Sequence, residues 1–153
     1  MKISRTSEYA LKALVELAID HDKGTTVALI NDIAKRKGIP NKYLEQILLG
    51  LRNAGILVSK RGVGGGYSLS RSPENISLGE IIRAVEGSLS PVNCVSIGSH
   101  VNCPEESSCG LYSVMLDLRD AVSSVLDNTS LKDVARRNLY LIDQRNNVLS
   151  YAI

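Results

Sequence analysis

Apolar residues recur at helical spacing through the first fifty positions. In SRTSEYALKALVELAID, Leu11, Leu14, Leu17 and Ala18, with Ala10 and Ala13, fall on one face. The spacing predicts a helix capped by Ser4 or Thr6 and ended by Gly24. In TTVALINDIAKRKG a shorter stripe of Leu29, Ile30, Ile33 and Ala34 stops at Gly38. GIPNKYLEQILLGLRNAG predicts a third helix from Pro40 or Asn41, where a proline is tolerated and an asparagine caps. There Leu44, Ile47, Leu48 and Leu51 point inward, leaving Lys42, Glu45, Gln46, Leu49, Arg52 and Asn53 outside. A short helix, a glycine turn and a helix with a polar outer face is the order of a helix-turn-helix, although a plain three-helix core has the same order.

The period then changes. ILVSKRGVGGGYSLS predicts a strand with Ile56 and Val58, a glycine-rich tip, and a second strand with Tyr67 and Leu69. GVGGG is not a phosphate cradle, because the chain beyond it returns to strand alternation instead of opening a helix. A hairpin with Lys60 and Arg61 at its tip, directly after a helix-turn-helix, predicts a wing, and arginine is attracted to narrow minor grooves. SPENISLGEIIRAVEG follows, with Ser77 and Glu80 spaced as a capping box ahead of Ile81, Ile82 and Val85. After a long polar loop, Leu111, Met115, Leu118, Val122 and Val125 step by four and three, a heptad seam broadened by Val114, Ala121 and Leu126. A core is already provided for upstream, so this helix is expected to pair with a second copy. SLKDVARRNLYLIDQ predicts a last amphipathic helix through Leu131, Val134, Leu139 and Ile142.

The expected fold is thus mainly α with a small β-hairpin. Residues 1–87 form a winged helix-turn-helix DNA-binding domain, 88–110 a cysteine loop, and 111–153 a dimerisation helix with a C-terminal helix.

Charge sharpens this division. Residues 1–71 carry twelve Lys and Arg against six Asp and Glu, whereas residues 72–153 carry six against ten. A basic first half suits a polyanion. Six Tyr and no Trp or Phe leave the core to Leu, Ile, Val and Ala. No apolar run reaches the ~18 residues of a membrane span, and MKISRTSEYA lacks a secretory pattern, so a cytoplasmic protein is expected. With no CxxC, no HExxH, and His21 and His100 as its two histidines, the chain is not expected to be an enzyme, and no small-molecule substrate is predicted.

CVSIGSHVNCPEESSCGLYS contains Cys94, Cys103 and Cys109, all the cysteines of the chain, with gaps of eight and five residues. A disulfide needs two thiols and a full thiolate cage four. Clustered, odd in number and without an export signal, they point to free or metal-bound thiols in a reducing compartment.

YLEQILLGLRNAGILVSKRGVGGGYSL strongly resembles the core motif of the Rrf-two family of bacterial transcriptional regulators. MKISRTSEYAL, SLGEIIRAVEG and the cysteine loop before a long helix occur in that family's order, so the resemblance covers about residues 1–135. It implies a homodimer on a palindromic operator of double-stranded DNA, with the long helices crossing at the two-fold axis. It also implies recognition-helix contacts from Tyr43, Glu45 and Gln46 in the major groove and a wing contact from Arg61 in the minor groove. The side chains agree: Glu45 can accept from cytosine N4 and Gln46 can pair with an adenine edge, whereas Lys42 and Arg52 suit phosphates. Asn41, Lys60 and Gly64 complete the candidate DNA-binding set. Tyr43 has a second reading, packing against the wing.

The family contains cluster-bearing (IscR- and NsrR-type) members and cluster-free (CymR-type) members. The triplet places this chain with the former, and soft thiolates match iron–sulfur chemistry. Zinc and unligated redox thiols are the alternatives. The first cysteine gap is longer than in the cluster-bearing types, and the position where some carry a ligand histidine is Tyr112 here. Glu8, which matches an acidic ligand supplied by the partner subunit in some members, is the first candidate for the fourth ligand. His100 is the second, and Glu105 and Glu106 also lie between two cysteines. A 2Fe–2S cluster is favoured over 4Fe–4S. The alternative function is a cluster-free regulator of sulfur and cysteine metabolism with thiols in redox or zinc chemistry.

Overall fold

The Ser4 hydroxyl accepts a hydrogen bond from the backbone N–H of Ser7 at 3.2 Å and opens α1 (Arg5–Asp22). The computed structural model describes residues 3–25 and 27–150, the last three by backbone alone. After α1 come α2 (Ile30–Lys37), α3 (Asn41–Asn53), β1 (Leu57–Lys60), β2 (Gly66–Leu69), α4 (Leu78–Glu86), α5 (Gly110–Asp127) and α6 (Leu131–Ser150). Short 3-10 turns stand at Pro73–Asn75, Asn93–Val95 and Glu106–Ser108.

Gly38, at φ 64°, ends α2 in the left-handed conformation that only glycine adopts cheaply. Pro40, not Asn41, takes the capping position of α3. Asn41 is the first helical residue, and no side chain caps this helix. The inward set of α3 is as expected: Leu44, Ile47, Leu48 and Leu51 are all buried. At α4 the Ser77 hydroxyl accepts from the Glu80 N–H at 3.1 Å. The reciprocal half of the capping box is absent, because Arg71 draws the Glu80 carboxylate into an ion pair.

β1 and β2 pair antiparallel, with Leu57 opposite Leu69 and Lys60 opposite Gly66. The strand begins one residue later than Ile56, and Leu57 is its buried member while Val58 faces solvent. Tyr67 also bridges to Ala28, each N–H donating to the other's carbonyl at 2.9 Å, which fastens the hairpin to the segment ahead of α2. Helix, turn, helix and hairpin therefore form a winged helix-turn-helix.

One core unites these elements. Leu14 of α1, Ile33 of α2, Leu44 and Leu48 of α3, Leu57 of β1 and Ile81 of α4 are fully buried together. Alanines 10, 13 and 18 let neighbours approach α1 closely. Leu131 and Ala135 of α6 belong to the same core, so the last helix returns to the first domain. Lys132 pairs with Glu74 at 2.7 Å beside this contact.

Helix α5 stands apart, with no buried residue. It is fastened to α4 by the Arg83–Asp127 pair, two bonds of 2.6 and 2.7 Å. Its apolar residues divide between two faces. Met115, Val122 and Leu126 are half-buried, while Leu111, Val114, Leu118 and Val125 are exposed. The exposed stripe thus steps by three and four from Leu111 through Val114, Leu118, Ala121 and Val125, and Met115 and Val122 of the expected seam lie off it.

Two acidic residues of α1 are buried, Glu16 and Asp20. Arg36 of α2 meets Asp20 at 3.0 and 2.7 Å and Glu16 at 3.2 Å, and Lys37 reaches Glu16 at 2.6 Å. The hydrogen bond from Arg36 holds the Asp20 carboxyl below its ordinary range, against the opposing effect of burial. A depressed folded value contributes stability above the ordinary carboxyl pKa and loses it as pH falls below about 4. Arg36→Ala is expected to cost about 1–2 kcal/mol near neutral pH, a figure reduced because Arg36 is partly solvated. Urea unfolding at pH 7 and at pH 3 checks both, and the variant's deficit should shrink at the lower pH.

Candidate nucleic-acid interface and cysteine loop

The outer face of α3 follows from its inner one. With four leucine and isoleucine side chains turned to the core, Asn41, Lys42, Tyr43, Glu45 and Gln46 are exposed and Arg52 is half-buried. Lys60 ends β1, and Arg61, Val63 and Gly64 project on the exposed tip of the hairpin. A cleft between the two elements is lined by Glu45 and Arg52 on one side and Lys60 and Arg61 on the other. Asn31, at the start of α2, lines it as well, and nothing in the sequence had singled it out.

Tyr43 lies on the opposite flank of α3. Its hydroxyl is 2.5 Å from the Thr6 Oγ1 and its ring meets that of Tyr9 edge-on at 5.7 Å. The packing partner of Tyr43 is therefore α1 and not the wing. Arg5 sits 5.9 Å from the Tyr9 ring centre, which adds a cation beside the recognition helix. The first turn of α1 was missed as a neighbour of α3, since the contact spans 37 positions.

The glycines of the tip are structural. A Cβ on Gly65 would stand 2.5 Å from the Lys60 carbonyl oxygen, and one on Gly66 would stand 2.3 Å from that of Ala28.

The loop from residue 88 to 110 connects α4 to α5. Cys94 lies in the 3-10 turn Asn93–Val95 and is half-buried, Cys103 is exposed, and Cys109 caps α5. The Cys109 Sγ accepts from the Tyr112 N–H at 3.4 Å. Glu106 gathers two side chains between them. It lies 3.3 Å from His100 Nε2, and its hydrogen bond raises the Tyr112 phenol above the ordinary value, with burial adding to the effect.

Of the two fourth-ligand candidates, His100 is thus engaged by Glu106. Glu8 is bonded to Lys12 at 2.6 Å, which lowers its carboxyl below the usual range. Among the described residues no three His, Cys, Asp or Glu side chains are gathered closely enough to hold a metal ion. The donor types fit an iron–sulfur group, whereas this arrangement of the loop does not bring the three thiols together.

The loop is nevertheless joined to the DNA-facing elements. Glu86, the last residue of α4, accepts from the Ser4 N–H at 2.8 Å, and Gly87 (φ 84°) leads directly into the loop. Thr6, two residues beyond Ser4, holds Tyr43.

Comparison with known proteins agrees with these features. The family model Rrf2, described as an iron-dependent transcriptional regulator, matches residues 3–137. The transcriptional regulator IscR of Aliivibrio salmonicida is 33% identical over 149 residues, 97% of this chain and 86% of the relative. The solved structure of CymR, the global cysteine regulator of B. subtilis, superposes with a TM-score of 0.73 at 38% identity, covering 90% of this chain and 98% of that one. T. potens IscR gives a TM-score of 0.72 at 32% identity, covering 90% and 88%. The winged helix, the cysteine loop and these likenesses converge: the chain belongs to the Rrf2 family of transcriptional regulators.

Proposed function

We propose that the protein is a homodimeric operator-binding regulator whose affinity for a palindromic DNA site is set by an iron–sulfur cluster held by Cys94, Cys103 and Cys109. The observation that carries the DNA-binding part is the single cleft bordered by Glu45 and Arg52 of α3 and by Lys60 and Arg61 of the wing. Glu45 and Gln46 offer hydrogen bonds to base edges, while Lys42, Arg52 and Lys60 neutralise phosphates. Arg61 has the reach and charge for a minor groove. Asn41, Tyr43 and Gly64 border these contacts and shape the surface. The exposed apolar stripe of α5 supports pairing with a second copy.

The cluster part rests on all three cysteines lying in one loop between α4 and α5. A cluster bound there would supply a response to iron or redox state. For the thiols to converge the loop must close, and residues on either side register the change. Glu86 holds the N-terminus of α1 and Thr6 of that helix holds Tyr43, so a shift at Gly87 reaches the first turn of the recognition helix. The fourth ligand is Glu8 of a partner subunit, or His100 if it leaves Glu106.

A second reading has support of its own. The likeness to CymR, described as a global cysteine regulator, is no less than that to IscR, with 38% against 32% identity, and the thiols are apart as described. In that reading the protein answers to sulfur or cysteine supply without a cluster.

Anaerobic purification with iron and sulfide counts, followed by operator binding before and after iron removal, separates the two. Equal iron and sulfide, lost in Cys109→Ser together with any difference in affinity, is the expected result. Colourless protein with unchanged binding establishes the cluster-free reading. In either case affinity should fall steeply with salt, as several phosphate contacts require, and a flat salt dependence would overturn DNA binding itself.

A further inference from the structure

The loop also closes over a cavity that the cysteines do not use. It measures about 420 Å³ and lies between the end of α4, the segment Ile97–Ser99 and the inner face of α5. Leu89 and Ile97 supply apolar wall, and the polar lining comes from Arg83, Arg119, Ser88, Ser90, Ser99 and Ser123.

The hydroxyls are connected. Ser96 lies 2.8 Å from Ser88 and 2.6 Å from Ser99, and Ser88 donates to Ser90 at 2.8 Å. Hydroxyl protons rotate, so such a chain can turn its donors toward an incoming acceptor without moving backbone.

The two arginines differ. Arg83 is occupied by its paired bonds to Asp127. Arg119 has only 18% of its side chain exposed, and its carboxylate partner is Asp120, which is 61% exposed and adjacent on the helix. The Arg119 Nε and Nη2 both reach one oxygen of that carboxylate, at 2.7 and 2.6 Å, but a pair with so solvated a partner contributes little. The remaining nitrogen, Nη1, donates to the Val95 carbonyl at 3.0 Å, which fixes the group at the cavity wall and leaves the second N–H of each Nη for a ligand. A mostly buried planar cation beside several hydroxyls, with its counter-charge outside, is suited to an acceptor that brings several oxygens.

We propose that this cavity binds a small oxyanion, with Arg119 supplying the charge and Ser88, Ser99 and Ser123 the hydroxyl donors. The lining segment Ile97–Ser99 lies between Cys94 and Cys103, so the site adjoins the candidate sensor loop without depending on the cluster.

Calorimetric titration of the iron-free full-length protein tests this, using sodium sulfate and sodium acetate at constant ionic strength against a sodium chloride reference. Saturable binding is expected for at least one of the two. A sulfate preference identifies a tetrahedral oxyanion as the class, and an acetate preference a carboxylate. Arg119→Gln should weaken the preferred anion by about tenfold or more, and Ser123→Ala, which removes one hydroxyl donor, by a smaller factor. Equal response to all three salts, or unchanged affinity in both variants, overturns the proposal. If Arg119→Gln fails to fold, Ser123→Ala and Ser99→Ala decide the question alone.

Discussion

Leu118→Glu is expected to leave each chain folded, abolish dimers, and reduce operator affinity by about 10²- to 10⁴-fold, the range that linking two binding modules supplies. The reasoning starts from what covers α5. Leu111, Val114, Leu118 and Val125 are 64%, 58%, 43% and 66% exposed, and the helix has no buried residue. Scattered apolar residues are ordinary on a surface, but these four, with the exposed Ala121 between Leu118 and Val125, repeat every three or four positions and form a continuous stripe. In a pairing with a second copy, Leu118 sits at the middle of that stripe, and two glutamates there would be desolvated as like charges. Since Leu118 adds nothing to the chain's own core, the melting temperature of the monomer should move little. Sedimentation velocity and operator titration provide the readouts, with Ser124→Ala on another face as the control. A Leu118→Glu protein that remains dimeric would place the interface elsewhere.

The stripe also shows how far the sequence could be read. On α3 the spacing of Leu44, Ile47, Leu48 and Leu51 decided the inner face, because polar residues bound that face on both sides. On α5 the apolar positions cover a broader arc, and periodicity locates its centre without saying which edge the chain covers itself. Met115 and Val122 went to the chain's own side, where Arg83 and Asp127 bring α4 and α5 together. The capping box of α4 was half legible for a similar reason, since Arg71 competes for Glu80 from outside the local segment.

For the candidate site, the residue types were legible and their partners were not. The outer face of α3, the basic tip and the three thiols could be named from spacing and chemistry alone. That Tyr43 is held by Thr6 and Tyr9 depends on the approach of two helices distant in sequence. That Glu106 would engage His100 and Tyr112 depends on the path of an irregular loop, to which no periodicity applies. The cysteine spacing likewise identified a set of donors without stating the separation at which the loop holds them.

The glycines of the wing offer the second large effect, because two of them should respond very differently to the same substitution. At Gly64 (φ 73°) an added Cβ meets nothing within 4 Å, so Gly64→Ala carries only the conformational cost of the left-handed region, about 1–2 kcal/mol. At Gly66 the Cβ would be 2.3 Å from the Ala28 carbonyl oxygen, a backbone atom with no rotamer to yield. Relief requires β2 to withdraw from Ala28, which forfeits the two bonds of 2.9 Å between Ala28 and Tyr67. The backbone of Gly66 (φ 156°) is also outside the range an alanine adopts easily. Gly66→Ala should therefore cost about 2–4 kcal/mol, the strain plus roughly 1 kcal/mol for each bond. The same withdrawal tilts Lys60 and Arg61 away from the cleft they share with Glu45 and Arg52. Operator affinity should fall by about 1–3 kcal/mol, or between roughly fivefold and 150-fold, even at temperatures where the variant is fully folded. Gly64→Ala, at a residue that borders the contacts without holding the wing to Ala28, should lose several-fold less affinity than Gly66→Ala. Equal losses in the two variants would mean that the docking of the wing on Ala28 does not position its basic residues.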